Sequence, residues 1–120
     1  VDDSKLARMA VAKVLRTLHP DWTQIEAVNA DEALASVKTD EIDITILDFN
    51  MPGRDGLELA AELRERKPAM PVAIISANYQ TEIVTRSHLT GAAFLSKPVT
   101  QEALARFLAE ALVRLKAQGS

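Results

Sequence analysis

TILDFNMPGRDG, residues 45 to 56, runs apolar up to Asp48 and then breaks into Pro52, Gly53, Asp55 and Gly56. Upstream, Ile42, Ile44 and Ile46 alternate, and Leu47 makes the run apolar on both faces. That is the pattern of a strand covered on both sides of its sheet. A buried strand therefore ends on a carboxylate. On its own, Asp48 reads first as a turn former. The competing reading is a carboxylate held at the mouth of a sheet to do chemistry.

Outward from this stretch, helices and strands alternate. Leu6, Met9, Ala10, Val14 and Leu18 recur at helical spacing, which predicts a helix over 4–18 with Ser4 as its cap and Pro20 as its stop. TQIEAVN (23–29) reads as a short strand with Ile25 and Val28 inward. Asn29, three residues before Glu32, resembles a capping box and opens a helix over 30–38. Gly56 starts a third helix with Leu57, Ala60 and Leu63 inward, ending before Pro68. MPVAIISA (70–77) is a buried strand. A weaker helix spans 81–89, Gly91 ends it, and AAFLS (92–96) is a brief strand. Over 100–116, Leu104, Phe107, Leu108, Ala111, Leu112 and Leu115 form the clearest amphipathic stripe in the chain.

Strict alternation with short connections implies βαβ units, hence a parallel sheet with helices on both faces. Such a sheet calls for a strand ahead of the first helix, so apolar residues are expected before Val1 in the intact protein. The 120 residues predict one domain. At 48% apolar and 26% charged, the composition is that of a folded globular chain. A net charge of −3 leaves no basic footprint for nucleic acid. With no Cys, disulfides, thiolate nucleophiles and Cys-based metal sites are excluded. No apolar run approaches the roughly 18 residues that span a membrane. There is no Gly-rich dinucleotide or P-loop fingerprint. His19 and His88 are isolated, Trp22 reads as packing, and RERK (64–67) as a solvated helix end.

Ligands of open parallel sheets bind beyond the carboxyl ends of the strands. In this order the strand ends deliver Asp2 with Asp3, then Asp48, Ser76 and Lys97. Each has a bland reading: a charge favouring a helix N-terminus, a turn former, a loop hydroxyl, a solvated lysine. Capping and solvation do not require all of them together. Crowded carboxylates repel, and a hard divalent cation such as Mg²⁺ relieves that. Lys97 offers a compact positive charge for a phosphoryl oxygen and Ser76 a hydroxyl donor. A carboxylate can itself be the nucleophile, forming an acyl phosphate. Phosphoryl transfer asks mainly for in-line positioning and charge neutralisation, which this set supplies.

VDDS (1–4), ILDFNMPGRDG (46–56), IISA (74–77) and GAAFLSKP (91–98) together resemble the motif set of response-regulator receiver domains, the chemotaxis-regulator-like family of two-component signalling. The resemblance runs from Val1 to about Leu115. It implies a flavodoxin-like, doubly wound (βα)₅ α/β fold, a three-layer sandwich with parallel strand order 2-1-3-4-5, filling residues 1–120 as a single receiver domain. It implies that Asp48 accepts a phosphoryl group from a histidine kinase or phosphotransfer protein. Mg²⁺ or Mn²⁺ would be held by Asp3, Asp48 and the backbone carbonyl of Asn50, with Asp2 nearby through water. Lys97 and Ser76 would bind phosphoryl oxygens, and Ser76 and Phe94 would form the switch. The Lys97–Pro98 bond is often cis in the family. Residues 81–89, 93–95 and 100–116 would face a downstream partner or a second copy. A cytoplasmic phosphoprotein, not an enzyme acting on an external substrate, is implied, without nucleic-acid or membrane binding by this domain. Ser76 stands where threonine is commoner, and Phe94 where tyrosine is commoner, so the switch lacks a phenol. Asn50 and Asn78 border the site and are expected to tune it.

Two other classes share part of this residue set. An aspartyl-phosphate phosphatase of the haloacid-dehalogenase type needs a second Asp two residues after the nucleophile, where this chain has Asn50. A phosphorylation-independent interaction module would have no use for the complete set of phosphorylation residues.

Overall fold

The computed structural model describes residues 1–39, 42–50, 55–77, 81–97 and 99–118. Along the chain come α1 (Lys5–Leu18), α2 (Ala30–Thr39), β1 (Thr45–Asp48), α3 (Gly56–Arg66), β2 (Val72–Ser76), α4 (Thr81–Leu89), β3 (Ala93–Ser96) and α5 (Gln101–Gln118). The strands pair in parallel in the order β1-β2-β3, with Asp48 opposite Ile75 and Ser76 opposite Ser96.

Side-chain alternation along the strands divides the interior into two cores. Leu47, Val72 and Ile74 pack with Ala33, Leu57, Leu59, Ala60 and Leu63 on the α2–α3 side. Ala73, with Ile46, Ala93 and Leu95 against it, joins Leu104, Phe107, Leu108 and Ala111 on the α1–α5 side. Every residue of β2 is buried, as a strand covered on both faces must be. Fully buried Leu59, Leu63, Leu104 and Leu108 each contribute about 1.5–3 kcal/mol by leaving water, so the two cores hold the helices to the sheet. This is the doubly wound α/β architecture.

The helix starts follow the capping residues. Ser4 accepts from the Ala7 amide, Asn29 from Glu32, Asp55 from Glu58 and Thr100 from Ala103. Glu32 reaches back to the Val28 amide at 3.1 Å, one residue earlier than a standard capping box. Gly91, at φ +80°, takes the left-handed turn that ends α4.

Two expectations are corrected. In α1 the covered face is Val11, Ala12, Val14, Leu15 and Leu18, whereas Leu6 and Met9 are 80% and 53% exposed and Ala10 also lies outside. The helix carries apolar residues around more than half its girth, and α5 covers only one stripe. The 23–29 segment forms no strand, and its buried residue is Ala27, while Ile25 is 44% exposed and Val28 half-buried. The reason is separation: a groove of about 520 Å³, lined by Trp22, Ile25, Val37, Ile44 and Ile46, lies between this segment and β1. Val1, which lines it, and Asp2 link the two sides. The Val1 amine donates to Ile46 O at 2.6 Å, the Asp48 amide donates to Val1 O at 2.9 Å, and the Asp2 amide donates to Ala27 O at 3.1 Å. Val1 and Asp2 are thus joined to β1 by two hydrogen bonds and to the 23–29 segment by one. His19 stacks on Trp22 with centroids 3.8 Å apart.

Candidate functional site

β1, β2 and β3 end side by side, and Asp48 at the end of β1 meets Asp2 and Asp3 just ahead of α1. Asp48 closes β1 and is 4% exposed. Its backbone is held on the outer edge by Val1 O, and the next amide, Phe49 N, donates to Ile75 O at 2.8 Å. Gly56 then comes so close that an added Cβ would sit 2.6 Å from Asp48 O and 2.8 Å from Leu47 Cδ1. Only a glycine lets α3 begin against the end of β1.

Asp2, 8% exposed, and exposed Asp3 lie in the turn before α1. The carboxylates of Asp2, Asp3 and Asp48 each bring an oxygen within 4.8 Å of the others. Burial pushes the Asp2 carboxyl above the usual range; the Ser4 amide, 2.9 Å from Oδ1, opposes that, and the Asp48 charge adds to it. Lys97 Nζ stands 2.9 Å from Asp48 Oδ1. Burial alone would lower the lysine, but its hydrogen bond to Asp48 and the charges of Asp48, Asp2 and Asp3 raise it overall. Ser76, fully buried, ends β2, and its carbonyl accepts from the Lys97 amide at 3.0 Å.

The structure therefore brings together Asp2, Asp3, Asp48 and Lys97, with Ser76 beside them at the end of the neighbouring strand. Asn50 is exposed just past Asp48. Phe94 lies half-buried on β3, opposite Ile74. Asn78 and Pro98 fall outside the described residues. Arg8 was missed by the sequence reading. Its guanidinium donates to Asp2 O at 2.7 Å and to Glu26 Oε1 at 3.0 Å. Its contact at the site is with a backbone carbonyl, which leaves no signal in the residue pattern.

An all-oxygen donor set with crowded carboxylates suits a hard divalent cation such as Mg²⁺ or Mn²⁺ better than a softer metal. The residues fit such an ion: two of the three carboxylates are buried, and the Lys97 ammonium is the single positive side chain in contact with Asp48 among the described residues.

Comparison with known proteins places this geometry. The profile of the response regulator receiver domain matches residues 1–109. The chain is 36% identical over 117 residues to the positive alginate biosynthesis regulatory protein of Pseudomonas aeruginosa, covering 92% of this chain and 45% of that one. It is 31% identical over 113 residues to the nitrate/nitrite response regulator protein NarL of Escherichia coli, covering 92% of this chain and 52% of that one. The crystallised chemotaxis protein CheY4 of Vibrio cholerae superposes with a TM-score of 0.81 at 26% identity, over 92% of each chain. The chain belongs to the response-regulator receiver family and has its flavodoxin-like fold. It is a receiver domain of the two-component type. It spans about half the length of the two regulators it matches. Receiver domains generally bind Mg²⁺ at an acidic cluster, and Asp2, Asp3 and Asp48 form such a group here. No helix among the described residues is long and apolar enough to cross a membrane.

Proposed function

We propose that Asp48 is the phosphoryl acceptor of this receiver domain, taking the group from a phosphohistidine of a sensor kinase or phosphotransfer protein in a Mg²⁺-dependent reaction. The observation that carries the reading is a buried carboxylate at a strand end, with two further carboxylates within 4.8 Å and an ammonium at 2.9 Å. A carboxylate oxygen of Asp48 attacks phosphorus, the P–N bond to the donor imidazole breaks, and the imidazole keeps the electron pair. Asp3, Asp48 and the Asn50 carbonyl would hold the ion, with Asp2 nearby through water. When bound, the ion neutralises charge on the transferring oxygens.

Lys97 releases Asp48 Oδ1 and pairs with a phosphoryl oxygen instead, while Ser76 donates its hydroxyl to another. The phosphoryl group adds negative charge where one carboxylate charge already stood, so these two side chains gain a new partner at the ends of β2 and β3. That biases the switch residues Ser76 and Phe94, and with them the face of α4, β3 and α5, which meets a downstream partner or a second copy. Self-catalysed phosphorylation from small acyl phosphates, and hydrolysis of the aspartyl phosphate, belong to the same site. The domain acts in the cytoplasm, as its kinase partners would require.

The test is incubation with Mg²⁺ and acetyl phosphate, read by intact-protein mass and by Phos-tag mobility. Wild type should gain one phosphoryl group, lost on treatment with hydroxylamine, and Asp48→Asn should gain none. Equal labelling of Asp48→Asn would remove Asp48 as acceptor. Lack of labelling in wild type with kinase, Mg²⁺ and acetyl phosphate all supplied would favour a binding module that works without phosphorylation.

A further inference from the structure

Asp2 is held at three of its polar groups. Its amide donates to Ala27 O at 3.1 Å, its Oδ1 accepts from the Ser4 amide at 2.9 Å, and its carbonyl accepts from Arg8 Nη1 at 2.7 Å. The last contact differs from the others because it comes from a side chain that is itself fixed. The Arg8 side chain is 16% exposed, and its Nε pairs with Glu26 Oε1 at 3.0 Å on the segment beyond Asp2. Arg8 therefore spans from α1, across the Asp2 carbonyl, to the strip of chain that ends at Ala27.

The carbonyl of Asp2 lies in the same rigid plane as the amide of Asp3. Fixing that oxygen fixes the plane, and so the position from which the Asp3 side chain leaves the backbone. Asp3 itself is exposed. The geometry points to Arg8 as a positioning residue for the acidic cation site: it sets the Asp2–Asp3 peptide so that Asp3 meets Asp48, and its loss weakens divalent-cation binding. This inference rests on the acidic site proposed above.

Charge and geometry make opposite demands, which makes the inference sharp. A guanidinium beside carboxylates repels an incoming cation, so if Arg8 acted through charge alone, its removal would tighten binding. If it acts by holding the peptide plane, removal loosens binding despite the lost repulsion. Arg8→Lys separates the two further, because it keeps the charge and the apolar stem but lacks the planar fork that grips two oxygens at once.

Direct Mn²⁺ binding, followed by electron paramagnetic resonance and by calorimetry with Mg²⁺, tests this on wild type, Arg8→Gln, Arg8→Lys, Glu26→Gln and Asp48→Asn. The unfolding midpoint of each metal-free variant is measured alongside. Arg8→Gln and Arg8→Lys should each raise the dissociation constant roughly ten-fold, the scale of losing a group that orients a ligand. Glu26→Gln, which leaves the contact to Asp2 but frees the far end of the clamp, should raise it about two-fold, as for an exposed ion pair. Unchanged or tighter binding in both Arg8 variants overturns the inference, even if their unfolding midpoints fall, because a purely structural arginine would move only the midpoint. Should Arg8→Gln fail to fold, Arg8→Lys and Glu26→Gln decide by the same readings. If wild type binds no Mn²⁺, or Asp48→Asn binds it equally well, the acidic-site reading falls and takes this inference with it; normal wild-type binding, impaired by Asp48→Asn but not by the Arg8 variants, overturns the inference alone.

Discussion

Asp48 Oδ1 faces the Lys97 ammonium at 2.9 Å from a side chain that is 4% exposed. Replacing Lys97 by Met leaves that buried carboxylate beside those of Asp2 and Asp3 without its counter-charge. Solvent reaches the lysine, which is 34% exposed, so the cost stays below that of breaking a fully buried pair. Lys97→Met should lose about 1–2 kcal/mol of metal-free stability in urea unfolding, whereas Asp48→Asn, which relieves crowding, should lose nothing or gain. A Lys97→Met midpoint equal to wild type would show the pair to be energetically idle. At this scale the sequence was informative because Asp48 and Ser76 stand where an apolar run stops and Lys97 just after one, while Asp2 and Asp3 stand directly ahead of the first helix. Arg8 was illegible because it acts on a backbone carbonyl, and nothing in a residue pattern marks which carbonyl an arginine will reach.

The elements differ in how plainly they could be read. α3 declared its start at Gly56, its end before Pro68 and its inward face, whereas the stripe of α5 is buried at Leu104, Phe107, Leu108 and Ala111 but leaves Leu112 39% exposed near the end of the helix. α1 declared its ends only. Its apolar residues make two overlapping stripes, and which one is covered depends on where α5 lies, a fact of packing and not of periodicity. The 23–29 segment has strand-like composition, but a strand is defined by pairing, and here a single amide, that of Asp2, reaches Ala27. At the junction of β1 and α3 the constraint is steric. A methyl at Gly56 would meet Asp48 O at 2.6 Å and Phe49 Cα at 2.8 Å, both backbone atoms. Gly56→Ala should therefore cost about 1–3 kcal/mol, the range for overpacking, in chemical denaturation. It should also slow acetyl phosphate labelling, because the strain falls on the Asp48 carbonyl. A variant with wild-type stability and labelling would show that α3 can shift freely away from β1.

Across the molecule, one sheet separates two cores, and the acidic site sits where the strands leave both. A cation bound there favours the folded chain by mass action, by about 2.7 kcal/mol at a hundred times its dissociation constant. Mg²⁺ should thus raise the unfolding midpoint, EDTA should reverse the rise, and Asp48→Asn should abolish most of it. An equal rise in the mutant would place the stabilising ion elsewhere.

The Gly56 amide donates to Phe49 O at 2.8 Å, so α3 starts against the residue that follows β1. An added Cβ at Gly56 would also meet the Asp48 carbonyl and Phe49 Cα, so the end of β1 and the start of α3 touch backbone to backbone. Strand end and helix start therefore move as one body, and any displacement of α3 along its axis is felt directly at the residue that carries the Asp48 carboxylate.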